Sequence, residues 1–318
     1  MVIDYFKKEK KPLKGLLAVE WVVMIYLVVT LAATLIWYDT MTNPHALISG
    51  RIEVLFTTLL LWGVYRMYPS KAMRFIRIGV QMALLSWWYP DTYELNRQLP
   101  NLDHIFAGWE QSVFGCQPAL LFSQHITSPV FSELMDLGYA SYYPLIAIVS
   151  LYYLFRRNNE FERCVFIIMA SFFTYYVIFD LVPVVGPTFY YKAVGVEEIA
   201  RGTFPALNDY FCYNQECLPS PGYADGLFYH LVETAKEAGE RPTAAFPSSH
   251  VGVTTVLMWL AWHTKNHRLV YIMLPFFILM FFATVYIQAH YAIDAFAGLV
   301  SGTLFYFFYY YLSKYIKV

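Results

Sequence analysis

The chain has 318 residues, of which 58% are hydrophobic and 14% charged, well below the roughly 25% charge of a soluble domain. Its long runs are apolar all round, which argues against a soluble all-helical domain, whose helices need a polar face. A net charge of −1 by itself says nothing about partners; the apolar composition leads one to expect a lipid bilayer and no nucleic acid.

Five lysines (Lys7, Lys8, Lys10, Lys11, Lys14) precede an abrupt apolar run from Leu16 to Tyr38, the first expected span. The run is too long for a cleavable signal peptide and lacks a small-residue cleavage site. A polar turn with Asn43-Pro44 and Gly50 leads to a second run, Ile52 to Val64, ending in Arg66. A third, Phe75 to Tyr89, is expected to close at Pro90, with Trp87 and Trp88 at the level of an interfacial aromatic belt. Between Asp91 and Asp136 the pattern is mixed, and Leu102, Ile105, Phe106, Trp109 and Val113 recur at helical spacing. That spacing predicts an amphipathic helix on the membrane surface.

Leu137 to Phe155 and Cys164 to Val185 are the fourth and fifth expected spans, and Gly186 to Ala245 is a long polar segment. Ser248 to Trp262, Leu269 to Ile287 and His290 to Tyr311 complete the set. The expectation is an all-α, polytopic membrane helical bundle of about eight transmembrane helices. It divides into residues 1–90 (basic segment and three spans), 91–136 (amphipathic interfacial segment) and 137–318 (catalytic helical region with loop 186–245). Four cysteines form no disulfide framework. Cys212 and Cys217 share one polar loop, where they pair in an oxidising compartment or remain free thiols.

An even span count puts both termini on one side. On that side lie the five N-terminal lysines, Arg66, Lys71, Arg74, Arg77, Arg156, Arg157, Arg163, Lys265, Arg268, Lys314 and Lys317, leaving only Arg51, Arg97, Lys192, Arg201, Lys236 and Arg241 on the other. The bias predicts cytoplasmic termini. It also brings two polar stretches to one extracytoplasmic or lumenal face: Pro247-Ser248-Ser249-His250, and His290-Tyr291-Ala292-Ile293-Asp294.

Ionisable groups in a bilayer are costly and mark function. On a helix, His290 and Asp294 stand at i and i+4, so the carboxylate accepts the imidazole N–H and leaves the other ring nitrogen as a nucleophile or base. Ser248 and Ser249, with the free N–H groups of a helix start, suit a phosphate. Either serine is equally a helix cap. A nucleophilic histidine, an orienting acid and a second histidine, His250, suffice for phosphoryl transfer without metal or cofactor. Two other readings use the same residues. A catalytic zinc takes three such ligands, and a proton-coupled transporter needs a relay through Asp180, His250, His290 and Asp294. Against the relay, the polar groups cluster at one face and no span shows paired Gly/Pro breaks. Asp180, before Pro183, reads as a helix-end residue, and Glu20 and Glu53 as carboxylates paired with polar neighbours.

The P-S-S-H stretch and Thr284, Tyr286, His290, Tyr291 and Asp294 resemble the second and third motifs of the type 2 phosphatidic acid phosphatase (PAP2) superfamily, in its P-S-x-H and T-x-Y-x-x-x-H-Y-x-x-D branch. That branch includes inositol phosphorylceramide synthase-like enzymes. The resemblance covers residues 130 to 312 and implies a six-helix core, a membrane lipid substrate, and His290 as the nucleophile that becomes a phosphohistidine. It further implies Asp294 as its orienting acid, His250 as proton donor and acceptor, and Ser248 on a phosphate oxygen. The chain departs from the phosphatases of the family where they carry basic residues. Ala283 and Thr284 replace a Ser-Arg pair, and Gly186-Pro187-Thr188 stands where an arginine is expected. Lys236 and Arg241-Pro242 have the right residue types at the wrong spacing, so Arg241, Lys236, Lys192 or Arg201 must supply the charge, Arg241 first by proximity. The loss of both basic motifs favours phosphotransferase over phosphatase.

Overall fold

A computed structural model describes residues 5–316 and 318; Lys317, counted in the charge bias, lies outside them. Among the described residues the structure is helical, with one isolated bridge between Lys8 and Ser70. Four helices come first: α1 Ala18–Ile36, α2 Pro44–Met67, α3 Lys71–Ala83 and α4 Leu85–Asn96. Helix α2 starts where Asn43 accepts a hydrogen bond from Ala46 N, ahead of Pro44 at the first helical position, an arrangement that satisfies an orphan donor and wastes none.

Next come α5 Asp103–Phe114, α6 Pro118–His125, α7 Pro129–Ala140, α8 Tyr142–Arg156 and α9 Phe161–Leu181. The loop helices are α10 Pro187–Val194, α11 Val196–Ala200 and α12 Leu227–Gly239, and the chain closes with α13 Ser249–His263, α14 His267–Tyr286 and α15 Ala292–Tyr315. Helix α9 is apolar on every side and buried on nearly every side, as a central helix must be. It packs against α1, α4, α13 and α15, while α13 and α15 make the closest helix pair and α14 covers both.

Five stretches are long and apolar enough to cross a membrane: Ala18–Ile36, Pro44–Met67, Asn158–Leu181, His267–Tyr286 and Ala292–Tyr315. The pair α7 and α8, bent by 46°, makes a sixth if taken as one span. Pro144 accounts for that bend, because it has no N–H for the carbonyl of Ala140 and its ring crowds it. These lengths and compositions make the chain an integral membrane protein. The expected third and sixth spans differ from the sequence reading. The third does not close at Pro90: α4 runs through it to Asn96 and is separated from α3 at Leu84. The sixth, α13, has 15 residues, about 22 Å of helix against a hydrocarbon core of about 30 Å. It sits inside the bundle among α8, α9, α14 and α15.

Buried polar pairs fasten α1 to α4. Arg77 meets Glu20 through two hydrogen bonds of 2.7 and 2.5 Å with both side chains inaccessible. Arg51 donates to Asp91 at 2.7 Å and also to Thr30 and the Leu47 carbonyl. Tyr26 donates to Asp180 at 3.1 Å. Arg77 and Arg51 are therefore partners of buried carboxylates rather than topological loop charges, which corrects their place in the charge bias. Glu20 has its expected partner, whereas Glu53 is exposed on α2 and has no ion pair among the described residues. The amphipathic segment is also shorter than expected, because residues 91–136 split between the end of α4, α5, α6 and most of α7. On α5, Ile105, Trp109 and Val113 are exposed, while Asp103, Phe106, Ala107 and Glu110 are buried.

Candidate active site

The first motif enters α13. Ser248 is its N-cap, accepting from Val251 N at 3.4 Å, and Ser248 N donates to the Asp294 carbonyl at 3.0 Å. The two motifs, far apart in sequence, are thus directly bonded. Two glycines let them approach: a Cβ on Gly298 would stand 2.5 Å from the Ser248 carbonyl oxygen and one on Gly302 2.2 Å from the Gly252 carbonyl oxygen, while Gly252 leaves room for the Tyr175 hydroxyl of α9. Gly298 and Gly302 are four apart, the small-xxx-small spacing of close membrane-helix contacts. In the first turn of α13, the His250 ring lies between Tyr139, stacked at 4.5 Å between centroids, and Tyr142 at 4.4 Å. Its Nδ1 is buried and makes no hydrogen bond.

His290 is not on a helix. Helix α14 ends at Tyr286, Gln288 takes a left-handed backbone (φ 64°), and α15 begins only at Ala292. This turn carries His290 with its N–H bonded to the Thr284 carbonyl at 3.0 Å. The expected i, i+4 bond to Asp294 is accordingly replaced. His290 Nδ1 lies 2.7 Å from the Ala245 carbonyl oxygen, and Asp294 Oδ2 is 3.8 Å away. A carbonyl only accepts, so Nδ1 carries the proton and Nε2 the lone pair. The Ala245 carbonyl, two residues before Pro247, and not Asp294, sets the tautomer. Asp294 caps α15, accepting from Tyr291 N at 2.8 Å, and its Oδ1 is buried without a hydrogen bond. The His250 and His290 rings meet edge to face, 5.7 Å between centroids.

Two carboxylates that sequence reasoning missed hold this turn in place. Asp103, at the start of α5, accepts from Val185 N at 2.7 Å, Gly186 N at 2.9 Å and Tyr291 Oη at 3.0 Å. Glu110 accepts from Ala292 N at 2.8 Å and Ile293 N at 3.0 Å. Both are fully buried. Burial pushes the Asp103 carboxyl up, against the pull of its N–H donors. It pushes Glu110 to about 7, with the neighbouring Asp294 charge adding to the rise and the two N–H groups opposing it. The only sequence signal was acids at positions 103 and 110, seven apart and on the face of α5 opposite the Ile105, Trp109, Val113 stripe.

Of the cations, Lys236 is committed elsewhere. Its ammonium binds the Leu218 carbonyl at 3.1 Å, Ser220 at 3.2 Å and Glu233 at 3.2 Å, within the loop region. Lys192 pairs with Glu216 and Arg201 with Glu198. Arg241, partly buried, donates to the Glu240 carbonyl at 3.0 Å and forms no ion pair among the described residues. Ser249 is buried beside His250, and its carbonyl accepts from Tyr142 at 3.4 Å. Cys212 and Cys217 are free thiols. Among the described residues no group of three or more His, Cys, Asp or Glu is placed to hold a metal ion. An apolar cavity of about 690 Å³ lies between α1, α9 and α15 and touches neither histidine.

Neither the curated proteins nor the solved structures contain a match to this chain. A family model described as the PAP2 superfamily matches residues 104–308, from α5 to within α15, and leaves α1 to α4 outside. That match covers more than half the sequence and both histidine motifs, and its membership points to phosphatase or phosphotransferase chemistry: the chain belongs to the PAP2 superfamily.

Proposed function

We propose that this protein is a lipid phosphotransferase or phosphatase that works through a phosphohistidine at His290, with its site on the extracytoplasmic or lumenal face. The observation that carries the reading is the bond from His290 Nδ1 to the Ala245 carbonyl, which leaves Nε2 unprotonated beside His250. Nε2 attacks phosphorus, a P–N bond forms, and the P–O bond to the leaving group breaks. His250 donates a proton to the departing oxygen, and then takes one from the acceptor hydroxyl as that oxygen attacks and the P–N bond breaks. Arg241 and Ser248 with Ser249 neutralise or bind the phosphate oxygens. Asp294, which reaches His290 only at 3.8 Å, stabilises the charged imidazole through space and keeps the turn in register.

The acceptor distinguishes the two enzymes. Transfer of a phospho-headgroup to a ceramide-type lipid, as in inositol phosphorylceramide synthase-like enzymes, is favoured by the spacing of Thr284, Tyr286, His290, Tyr291 and Asp294 and by the absence of the phosphatases' basic motifs. Water as acceptor makes the protein a lipid phosphate or prenyl diphosphate phosphatase. The reading of sidedness is supported by the sequence bias of lysine and arginine toward the termini and alternate loops.

Purified protein incubated with phosphate-labelled phosphatidic acid, and separately with phosphatidylinositol, should acquire acid-labile label on His290 from its own substrate. Ceramide should discharge it to a headgroup-bearing lipid if the protein is a transferase, and water to free phosphate if it is a phosphatase. Full turnover by a His290→Ala protein would overturn both.

A further inference from the structure

The turn that carries His290 is held by a helix more than 180 residues away. We infer that Glu110, assisted by Asp103, is a positioning residue that fixes the nucleophile turn by holding the backbone just after His290. This deepens the proposed function and rests on His290 being the nucleophile.

The first N–H groups of a helix have no partner within it. In α15 the helix's own cap, Asp294, satisfies only Tyr291 N. The next two donors, Ala292 N and Ile293 N, each bind a different oxygen of Glu110, at 2.8 and 3.0 Å. Asp103 continues the grip. One of its oxygens takes the Tyr291 hydroxyl at 3.0 Å and Gly186 N at 2.9 Å, and the other takes Val185 N at 2.7 Å. Val184, next in line, accepts from Ala245 N at 3.0 Å, and Ala245 is the residue whose carbonyl orients the imidazole. One short helix therefore holds both ends of the His290 anchor, the turn behind the ring and the loop segments in front of it.

Stability alone gives no reason for a charge in this place. Helix starts are capped cheaply by serine, threonine or water. A carboxylate without a cation, beside the second carboxylate of Asp294, is a costly choice. The groups facing Glu110 are Asp294 and Tyr291 from α15 and Tyr191 from α10, and none is a cation. What the carboxylate supplies is two divergent acceptors on one rigid plane, which fixes the direction of the turn as well as its place. Catalytic groups need placement within about 0.5 Å.

The pH behaviour separates this role from a merely structural one. Glu110 loses its proton near 7, well above the ordinary carboxyl value of about 4.3. Its raised value means that the folded state binds the proton more tightly than the unfolded chain does. Through this group, stability therefore falls as pH rises from about 4.3 to 7. Both oxygens accept freely only above that range, so turnover rises with pH through about 7 while stability drops below it. A cap that served stability alone would give the same fall in stability but leave the turnover of the folded protein level through pH 7.

The test compares wild type with Glu110→Gln, and with Glu237→Gln as a control that removes an exposed carboxylate of α12. A glutamine offers one acceptor and turns an NH₂ toward the second backbone donor. Turnover of phosphatidic acid, or headgroup transfer from phosphatidylinositol to ceramide, should fall about 10- to 100-fold in Glu110→Gln, the order expected for an ångström-scale misplacement. KM should stay within about twofold, as expected when a transition-state interaction is lost. The rise through pH 7 should disappear. Hydrogen exchange read on residues 291–293 should speed up in Glu110→Gln and stay unchanged in Glu237→Gln. Wild-type protein inactive on both lipid systems would count against the proposed function, while the exchange comparison still judges the clamp. Equal exchange protection in Glu110→Gln and wild type, or an unaltered turnover and pH profile, overturns the inference.

Discussion

Replacing Gly302 by alanine tests whether the seam between α13 and α15 sets the distance between the two histidines. The added Cβ would lie 2.2 Å from the Gly252 carbonyl oxygen, against an ordinary contact of 3.4 Å or more. The obstacle is backbone on both sides, so no side-chain rotation relieves it, and the helices must part by about 1.2 Å (3.4 less 2.2). Overpacking of this kind costs about 1–3 kcal/mol, partly offset by about 1 kcal/mol of helix propensity gained on leaving glycine. The effect on catalysis is larger than the effect on stability. His250 lies two residues before Gly252, and a displacement near 1 Å costs about 100-fold in rate. The assay pairs turnover in detergent micelles with the thermal midpoint of the same sample, and uses Gly63→Ala, whose Cβ meets nothing within 4 Å, as the control. Full turnover in Gly302→Ala at an unchanged midpoint would show that the close approach of α13 and α15 does not govern the site.

Other outcomes follow from the same geometry. Arg77→Ala leaves Glu20 buried and uncompensated, at an expected cost of about 3–5 kcal/mol; chemical denaturation measures it, and the double change with Glu20→Gln should recover most of the loss. Arg241→Ala should raise KM or lower turnover at least 10-fold, as expected for loss of a charge-assisted contact to phosphate, whereas Lys192→Ala, an exposed residue paired with Glu216, should change neither; equal effects in kinetics would refute the assignment of the phosphate cation. Turnover should survive a chelator at full rate, because the proposed mechanism takes both the nucleophile and the proton transfer from histidine; loss on chelation with recovery on adding zinc would favour the hydrolytic-metal reading.

The apolar runs were legible because a bilayer demands uniform hydrophobicity over a fixed length, and α1, α2, α9, α14 and α15 answer to that demand. The motif residues stood out because ionisable side chains at the edge of such runs are costly unless paired or used. The partner of His290 was not. An i, i+4 relation assumes a continuous helix, and the left-handed backbone at Gln288 is a property of the turn that residue types alone do not announce. Glu110 and Asp103 were hidden for a different reason. The stripe of Ile105, Trp109 and Val113 marks one face of α5, and a polar opposite face reads as solvated until tertiary packing shows that protein covers it. The extent of α4 past Pro90 was missed likewise, because Asp91 and Asn96 look like loop residues until Arg51, Thr243 and the Phe179 carbonyl appear as their partners.

The buried pairs among the first four helices make those helices depend on one another. Glu20 on α1 finds its charge partner only at Arg77 on α3, and Arg51 on α2 only at Asp91 on α4. These residues stand along the chain in the order carboxylate, guanidinium, guanidinium, carboxylate, so the charge on each of the first two helices is matched two helices later. Arg51 also bonds Thr30 on α1, which ties the two pairs together. Removing any one of the four helices would leave a buried charge of another uncompensated.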